Sequence, residues 1–318
     1  MIIKRRFRIT GHVAVLAAAM LVSLAGALPA RAQEKVRVVA TLPVLAELAK
    51  SVGGDKVEVQ AIASPVQDPH FVDAKPSYIL AASRADVWIE AGMDLEVSWA
   101  PLVREGSRNA RIQKGGEGFV DASTHVRKLD VPPGGVDRSR GDVHPYGNPH
   151  YWLDPLNAVP ITADIALALA RVDPSHAGYY TDRRRAFLAE LDRRMGGWRS
   201  RMEPLRGLPI VSYHQSFEYL ARRFGVVVVG KLEPKPGIPP SPSHLARLIE
   251  QMKSRGAKLI LVEPYYEKKN PQLVSRETGA TVVELRNQPE RGQSYFGFID
   301  GLTSQLAQAG RQAATSGR

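Results

Sequence analysis

The 318-residue chain contains no cysteine. Disulfides are therefore excluded, and so are thiolate metal ligands and a lipid anchor on an N-terminal cysteine. Aromatic residues are few, at 7% of the sequence, and they are not interleaved with basic clusters, which argues against a nucleic-acid partner. Beyond the N-terminus no stretch approaches about 18 consecutive apolar residues, so we expect no membrane-spanning helix there and a soluble mature protein.

The N-terminus has the three parts of a secretory signal peptide. A basic start, Met1 to Arg8, leads into an apolar run at 13–28 and then into Ala30-Arg31-Ala32, a small-residue cleavage pattern. We therefore predict a signal peptide over residues 1–32, cleaved before Gln33. A permanent membrane anchor is the alternative, but the apolar core is short for a bilayer span. Without a lipid anchor, the predicted location is free in the periplasm of a double-membraned bacterium.

The net charge is carried largely by this N-terminal segment. The whole chain has a formal charge of +11, which falls to +6 without residues 1–32, because they hold five basic residues and no acidic one. The other arginines alternate with acidic residues, as in Asp182-Arg183-Arg184-Arg185. This pattern is typical of a solvated helix face rather than of a nucleic-acid surface.

From Val36 onward short β-rich runs alternate with helical ones, which predicts an α/β fold of mainly parallel sheets flanked by helices. About 286 mature residues exceed one compact core, so we predict two lobes joined by one long rigid helix. The predicted boundaries are an N-terminal lobe at 33–174, a linking helix at 175–204, a C-terminal lobe at 205–310 and a frayed tail at 311–318. The predicted strands are Val36–Ala40, Val57–Ile62, Ala85–Glu90, Gly118–Ala122, Ile210–Tyr213, Val226–Val229, Leu259–Glu263 and Thr281–Leu285, and the predicted helices include Leu95–Val103 and Tyr295–Ala309.

The linking helix is predicted from one apolar stripe. Asp173-Pro174 supplies its start, and Pro204 with Gly207 its end. Steps of 7, 4, 4, 3 and 4 residues separate the members of the stripe, which places them on one helical face. They are Tyr180, Phe187, Leu191, Met195, Trp198 and Met202.

A less regular segment, Lys114–Asn148, is rich in glycine and proline. Apart from one strand near its start, we interpret it as a mobile surface loop. Its only histidines are His125 and His144. We expect both to be surface residues, with metal capture as the less favoured alternative.

Three histidines have contexts suited to a binding site. His70 lies in Asp68-Pro69-His70 past a predicted strand, His150 lies in Asn148-Pro149-His150, and His214 follows the strand that begins at Ile210. Ligands gather at the carboxyl ends of strands in open α/β sheets, and a preceding proline stiffens the backbone. Imidazole suits Zn²⁺, which usually takes four ligands at about 2.0–2.1 Å. From the residues alone, a packing or surface role stays open for each of them.

Six motifs in a fixed order extend over about 210 residues. They are Asp68-Pro69-His70 with Lys75-Pro76-Ser77, Ala85-Asp86-Val87-Trp88-Ile89, Asn148-Pro149-His150-Tyr151-Trp152-Leu153-Asp154-Pro155, Tyr213-His214-Gln215-Ser216-Phe217-Glu218-Tyr219-Leu220, Val262-Glu263-Pro264 and Glu277-Thr278-Gly279-Ala280. With them the chain resembles the cluster A-I metal-binding proteins of bacterial ABC importers, the zinc- and manganese-binding family that includes the ZnuA and TroA types.

The resemblance implies two lobes bridged by a rigid helix, with a metal ion between them held by His70, His150 and His214. A histidine at the third position is typical of the zinc binders of that family, whereas manganese binders tend to carry a carboxylate there. The expected ligand is therefore Zn²⁺, with Mn²⁺ as the alternative. The expected partner is the membrane permease of an ABC importer, and a monomer is expected.

The chain departs from this family at the fourth ligand. The usual aspartate would follow the strand Thr281–Leu285, where this sequence has Arg286-Asn287-Gln288-Pro289. We select Glu263 as the fourth ligand, with His144 or a water molecule as alternatives. Glu263 could equally be a hydrogen-bond acceptor behind the ligands.

The leading hypothesis is a periplasmic solute-binding protein, not an enzyme, that captures Zn²⁺ for an ABC permease. A zinc-dependent hydrolase is the second hypothesis, because three histidines with an open fourth position also hold catalytic zinc. No His-Glu-x-x-His motif supports it. A surface adhesin, a role attributed to some relatives, is the third.

Overall fold

The computed structural model describes residues 1–2, 34–134 and 144–315. Most of the predicted signal peptide, the middle of the predicted loop and the last three residues of the predicted tail lie outside the described residues. From Lys35 onward the chain forms one compact unit.

The first lobe contains a four-stranded sheet in which all strands are parallel. Its order is β2-β1-β3-β4. Strand β3 is buried along its whole length, as expected of a strand covered on both faces. The strands are β1 Val36–Ala40, β2 Val57–Ala61, β3 Val87–Glu90 and β4 Phe119–Asp121, and the helices are α1 Pro43–Gly53, α2 Pro76–Ser83, α3 Ala100–Gly106 and α4 Ala158–Val172.

The second lobe repeats this arrangement with a parallel sheet in the order β6-β5-β7-β8. Helix α7 shows how its sequence sets its ends. The Ser241 side chain accepts a hydrogen bond from the His244 N–H at the start, and Gly256 adopts a left-handed φ of 69° at the end. The strands are β5 Pro209–Ser212, β6 Val227–Lys231, β7 Leu259–Val262 and β8 Thr281–Glu284, and the helices are α6 Glu218–Phe224, α7 Pro242–Arg255, α8 Lys269–Thr278 and α9 Tyr295–Thr315.

One long helix, α5 Ala177–Met202, joins the lobes. Its buried residues are the six of the predicted stripe, so that prediction is confirmed. Helix α5 packs against α1 and α4 of the first lobe and against α9 of the second. A single hydrophobic core therefore extends from β1 through α5 to α9, while a smaller core is confined to the second lobe. The exact lobe boundaries stay predictions.

Two predicted helix ends were wrong. The helix predicted at Leu95–Val103 begins only at Ala100, because residues 93–99 form turns and Trp99 has a non-helical φ of −140°. Helix α9 continues to Thr315 rather than ending near Ala309. Its last turns are held because Ala313 is buried, so the predicted frayed tail is helical as far as Thr315.

One helix bears on the expectation about membrane-spanning segments. Among the described residues, Pro155–Val172 is long and apolar enough to cross a membrane by length and composition alone. Ile161, Ile165 and Leu169 of this segment are fully buried, and its helix packs against α1 and α5. Its apolar character is therefore accounted for by the core of the first lobe.

Candidate metal centre

The three predicted histidines come together. His70 lies in the loop between β2 and α2, His150 precedes the turn Tyr151–Leu153, and His214 follows β5. All three side chains are buried. Their candidate ligand atoms lie within 4.8 Å of one another, close enough to share one ion.

Each of these histidines presents one ring nitrogen to an oxygen acceptor behind it. The Nδ1 atoms of His70, His150 and His214 lie 2.6, 3.0 and 2.7 Å from Asp68 Oδ1, Asn148 Oδ1 and Glu233 Oε2. An oxygen acceptor fixes the tautomer with its proton on Nδ1 and leaves the Nε2 lone pair for a metal. The arrangement is that of metal-ligating histidines in general.

The two Pro-His motifs achieve this by the same local geometry. The backbone N–H of His70 donates to Asp68 Oδ1, and that of His150 donates to Asn148 Oδ1, both at 3.0 Å. The side chain two residues earlier thus holds both the backbone and the ring of each histidine. The Asn148 amide is oriented by its Nδ2, which donates to the Gln215 carbonyl oxygen at 2.7 Å.

The protonation states of the side chains at this site favour a bound cation. Burial, then the charges of His214, His70 and His144, lower the pKa of His150 well below its usual value, so this ring stays neutral in mildly acidic solution. Burial works to raise the pKa of Asp68, but the hydrogen bonds and charge of His70, together with the charge of His214, outweigh it and lower that pKa overall. The site therefore combines the neutral imidazole of His150 with the Asp68 carboxylate, which lies directly behind the imidazole of His70.

The surface position predicted for His144 was wrong. This side chain is buried, with 5% exposure, and its Nε2 lies 3.1 Å from His70 Nε2. Its ring centroid is 5.2 Å from that of His70 and 6.5 Å from that of His150. By contrast, the His125 side chain is 65% exposed and pairs with Asp164, so the surface position predicted for His125 is confirmed.

Glu263 lies outside the group of three mutually close histidines. It is fully buried, and neither carboxylate oxygen has a hydrogen-bond partner among the described residues. Burial raises its pKa to about 8, although the Ser216 hydroxyl opposes the rise. Its role as fourth ligand stays a prediction.

Sequence reasoning did not identify the supports behind the histidines. Asp68 and Asn148 could have been found, because each stands two residues before a histidine in the same Asx-Pro-His pattern. Glu233 gave no such signal, since it approaches His214 only through the pairing of β5 with β6, which sets Ser212 beside Lys231.

The site opens toward a cavity of about 250 Å³ lined by aromatic and acidic residues. The rings of Tyr213 and Tyr266 stack there with centroids 4.2 Å apart. Glu233 and Glu267 also line it. Such an entrance can admit a small cation while the aromatic wall limits access of bulk water.

Two α/β lobes on a rigid helix, with buried ligand groups from both, define the class of two-lobed binding proteins whose ligand lies where the lobes meet. The sequence model of the zinc-uptake complex component A periplasmic family matches residues 38–309. The chain belongs to this family. The resemblance inferred from the motifs, and the predicted fold class, are thereby confirmed.

Similar proteins include a metal-binding protein of Treponema pallidum, 28% identical over 268 residues that cover 83% of each chain. Another is the iron ABC transporter substrate-binding lipoprotein MtsA of Streptococcus pyogenes serotype M1, 25% identical over 84% of this chain and 86% of MtsA. A crystal structure of ZnuA matches with a TM-score of 0.74 at 23% identity, over 87% of this chain and 100% of that one. That likeness shows the shared fold.

Proposed function

We propose that the protein captures Zn²⁺ in the periplasm and delivers it to the permease of an ABC importer, with His70, His150 and His214 as ligands. One observation carries the proposal: the candidate ligand atoms of three buried histidines lie within 4.8 Å of one another, and each ring is held from behind by an oxygen acceptor. Burying three imidazoles together has no structural benefit unless a cation joins them.

The choice of zinc rests on the donor atoms. Imidazole nitrogens suit Zn²⁺, whereas carboxylate-rich sites suit Mn²⁺. No carboxylate belongs to the mutually close group of ligand atoms among the described residues. Asp68 and Glu233 supply negative charge one layer further out, where it offsets the dication without changing the donor set. The family description names zinc, and the iron named for MtsA makes Fe²⁺ the competitor to test.

Location and partner follow from the family and the composition. The family is described as periplasmic, and MtsA is described as a lipoprotein. This chain has no cysteine to carry a lipid, so we infer that it diffuses freely in the periplasm. We further propose that it docks on the permease as a monomer. The hydrolase alternative required a general base at the metal, and Glu263, its candidate, lies outside the histidine group.

Metal titration of the exported protein, stripped with a chelator, tests this function. Competition with a chromophoric chelator is expected to give nanomolar or tighter zinc binding, and weaker Mn²⁺ and Fe²⁺ binding. His150→Ala is expected to lower zinc affinity at least about 100-fold, because it removes a direct ligand rather than a support. His125→Ala is the matched control, because this histidine is exposed. Micromolar zinc binding that His150→Ala leaves unchanged would overturn the proposal.

A further inference from the structure

His144 stands beside the three histidines as a fourth buried imidazole. Structural zinc sites are almost always four-coordinate, and the mutually close group provides only three ligand atoms. Only 5% of the His144 residue is exposed, although it follows a glycine- and proline-rich stretch. A histidine of an otherwise polar segment that is buried against another histidine calls for a physical reason.

The distance between the two rings supplies that reason. His144 Nε2 lies 3.1 Å from His70 Nε2. Two nitrogens that bind one tetrahedral zinc ion at about 2.0–2.1 Å are separated by roughly 3.3–3.4 Å. Because Asp68 holds the His70 proton on Nδ1, the His70 Nε2 carries a lone pair that faces His144. The Nε2–Nε2 distance is thus close to that spacing and is a hydrogen-bond distance in the metal-free site. His144, like Glu263, lies outside the group whose ligand atoms are all within 4.8 Å of one another. Binding therefore requires its ring to move toward His150 and His214.

The segment that carries His144 is held in place by backbone contacts. The Gly147 N–H donates to the His144 carbonyl oxygen at 3.2 Å, and the Asn148 N–H donates to the Leu129 carbonyl oxygen at 2.8 Å. Gly147 has a φ of +106°, and a Cβ there would lie 2.6 Å from the Leu129 carbonyl oxygen. No other residue fits this turn without strain. His144 is thus tied to the segment that carries His150.

The second lobe fastens the same turn. The Tyr219 hydroxyl accepts from the Leu129 N–H at 2.9 Å and donates to the Asn148 carbonyl oxygen at 3.0 Å. The Tyr219 side chain of α6 therefore connects the backbone segments at Leu129 and Asn148. Because these hydrogen bonds already order the turn next to His144, little conformational entropy is lost there when a metal binds.

We propose that His144 is the fourth ligand, so that the metal is bound by four imidazoles drawn from both lobes. This inference rests on the function proposed above. It replaces Glu263 in that role and leaves no open coordination position for a reacting water molecule. Four neutral nitrogen donors also bind zinc in preference to manganese.

X-ray absorption of the zinc-loaded protein tests the inference without any substitution. Four imidazoles are expected in the first coordination shell. Three imidazoles with an oxygen ligand would overturn it.

Substitutions provide an independent test. His144→Ala is expected to lower zinc affinity about 100-fold and to change the visible spectrum of the Co²⁺-substituted protein, whereas His125→Ala and Glu263→Gln change neither. Circular dichroism of metal-free His144→Ala verifies its fold. If Glu263→Gln weakens binding and His144→Ala does not, Glu263 is the fourth ligand. His150→Ala tests the three-histidine site itself. If His150→Ala loses zinc affinity while His144→Ala keeps the wild-type affinity, this inference is rejected and the proposed function stands.

Discussion

The two lobes share one strand order but treat a buried glutamate at the strand ends in opposite ways. In the first lobe Glu96 accepts hydrogen bonds from the Thr41 hydroxyl at 2.6 Å and from the Ala91 and Gly92 N–H groups at 2.7 and 3.1 Å. In the second lobe neither carboxylate oxygen of Glu263 has a partner in full hydrogen-bond geometry among the described residues, and the Ser216 hydroxyl is the main group that favours its charged form. Burial, in Glu96 assisted by the charge of Glu90, raises both pKa values to about 8.

The neighbours of these glutamates repeat the contrast. In the first lobe Glu90 pairs with the Arg104 guanidinium and accepts from Trp88 Nε1. In the second lobe several buried polar atoms have no hydrogen-bond partner among the described residues: Ser212 Oγ, Ser216 Oγ, Asn287 Oδ1 and Gln288 Nε2. Unpaired buried polar groups cost about 1–3 kcal/mol each. The first lobe has fewer such atoms among the described residues, Arg104 Nε and His150 Nε2, so the contrast is greatest around Glu263.

The largest effect expected from this comparison is a loss of stability at alkaline pH. A carboxyl whose pKa rises from 4.5 to about 8 on folding retains its proton in the folded state but not in the unfolded state between those values. The free energy of unfolding therefore falls as pH rises through this window. Two such groups give a decrease of several kcal/mol, with roughly 4 kcal/mol each as an upper bound. Urea denaturation of the metal-free protein at pH 5, 7 and 9 measures it.

Glu263→Gln is the control for this pH dependence. A glutamine does not titrate, so its variant is expected to match the wild type at pH 5 and to exceed its stability at pH 9. A wild-type protein whose stability rises between pH 5 and pH 9 would contradict the assignment of raised pKa values to both groups.

A matched pair of substitutions sharpens the contrast at fixed pH. Glu96→Gln places an amide N–H₂ against a donor such as the Gly92 N–H, and we expect it to lower the free energy of unfolding by about 1–3 kcal/mol. Both variants are compared at pH 5, where the wild-type carboxyls keep their protons in the folded state. There Glu263→Gln is expected to change the free energy of unfolding by less than about 0.5 kcal/mol. Urea denaturation of both metal-free variants measures the two changes in the free energy of unfolding. Equal losses would show that the two glutamates are supported alike.

Much of this architecture was predictable because it depends on periodic patterns. The buried stripe of α5 follows from helical spacing alone, and all eight strands were located as apolar runs. The beginning of α3 was not predictable, because the turns that end at Trp99 involve residues that also suit a helix.

The site was predictable only in part, for a similar reason. Strand ends placed His70 and His214 at plausible site positions in two different sheets, but the grouping of both with His150 followed from the family resemblance. His144 lies beyond any strand, in a segment without periodicity, so its burial depends on contacts that spacing does not encode. Glu233 likewise reaches His214 through strand pairing.

The supports behind the histidines allow the lobes to be compared in their effect on metal affinity. Asp68 holds His70 from the first lobe, and Glu233 holds His214 from the second. Asp68→Asn and Glu233→Gln each preserve an acceptor and remove a charge, and each is expected to lower zinc affinity about 10–100-fold, or roughly 1.4–2.7 kcal/mol.

Chelator competition at pH 7.5 measures both affinities. Glu284→Gln is the control, because this exposed glutamate of the second lobe pairs with Lys268 on the surface. Variants that bind zinc as tightly as the wild type would show that the carboxylates orient the rings without strengthening them as ligands.

The smallest expected effect concerns the ion pair that connects the lobes. Arg223 of α6 donates from Nε and from its terminal nitrogen to the two Asp154 carboxylate oxygens, both at 2.6 Å. The side chains are 29% and 13% exposed. Because a bidentate, partly buried pair is stronger than a surface pair, we expect Arg223→Met to lower the free energy of unfolding by about 1 kcal/mol.

Arg185→Met, which breaks the exposed pair with Asp182, is expected to change the free energy of unfolding by less than about 0.5 kcal/mol. Urea denaturation compares them. If Arg223→Met splits unfolding into two transitions, the pair couples lobes of unequal stability; if it matches Arg185→Met, the shared core around α5 joins them without its help.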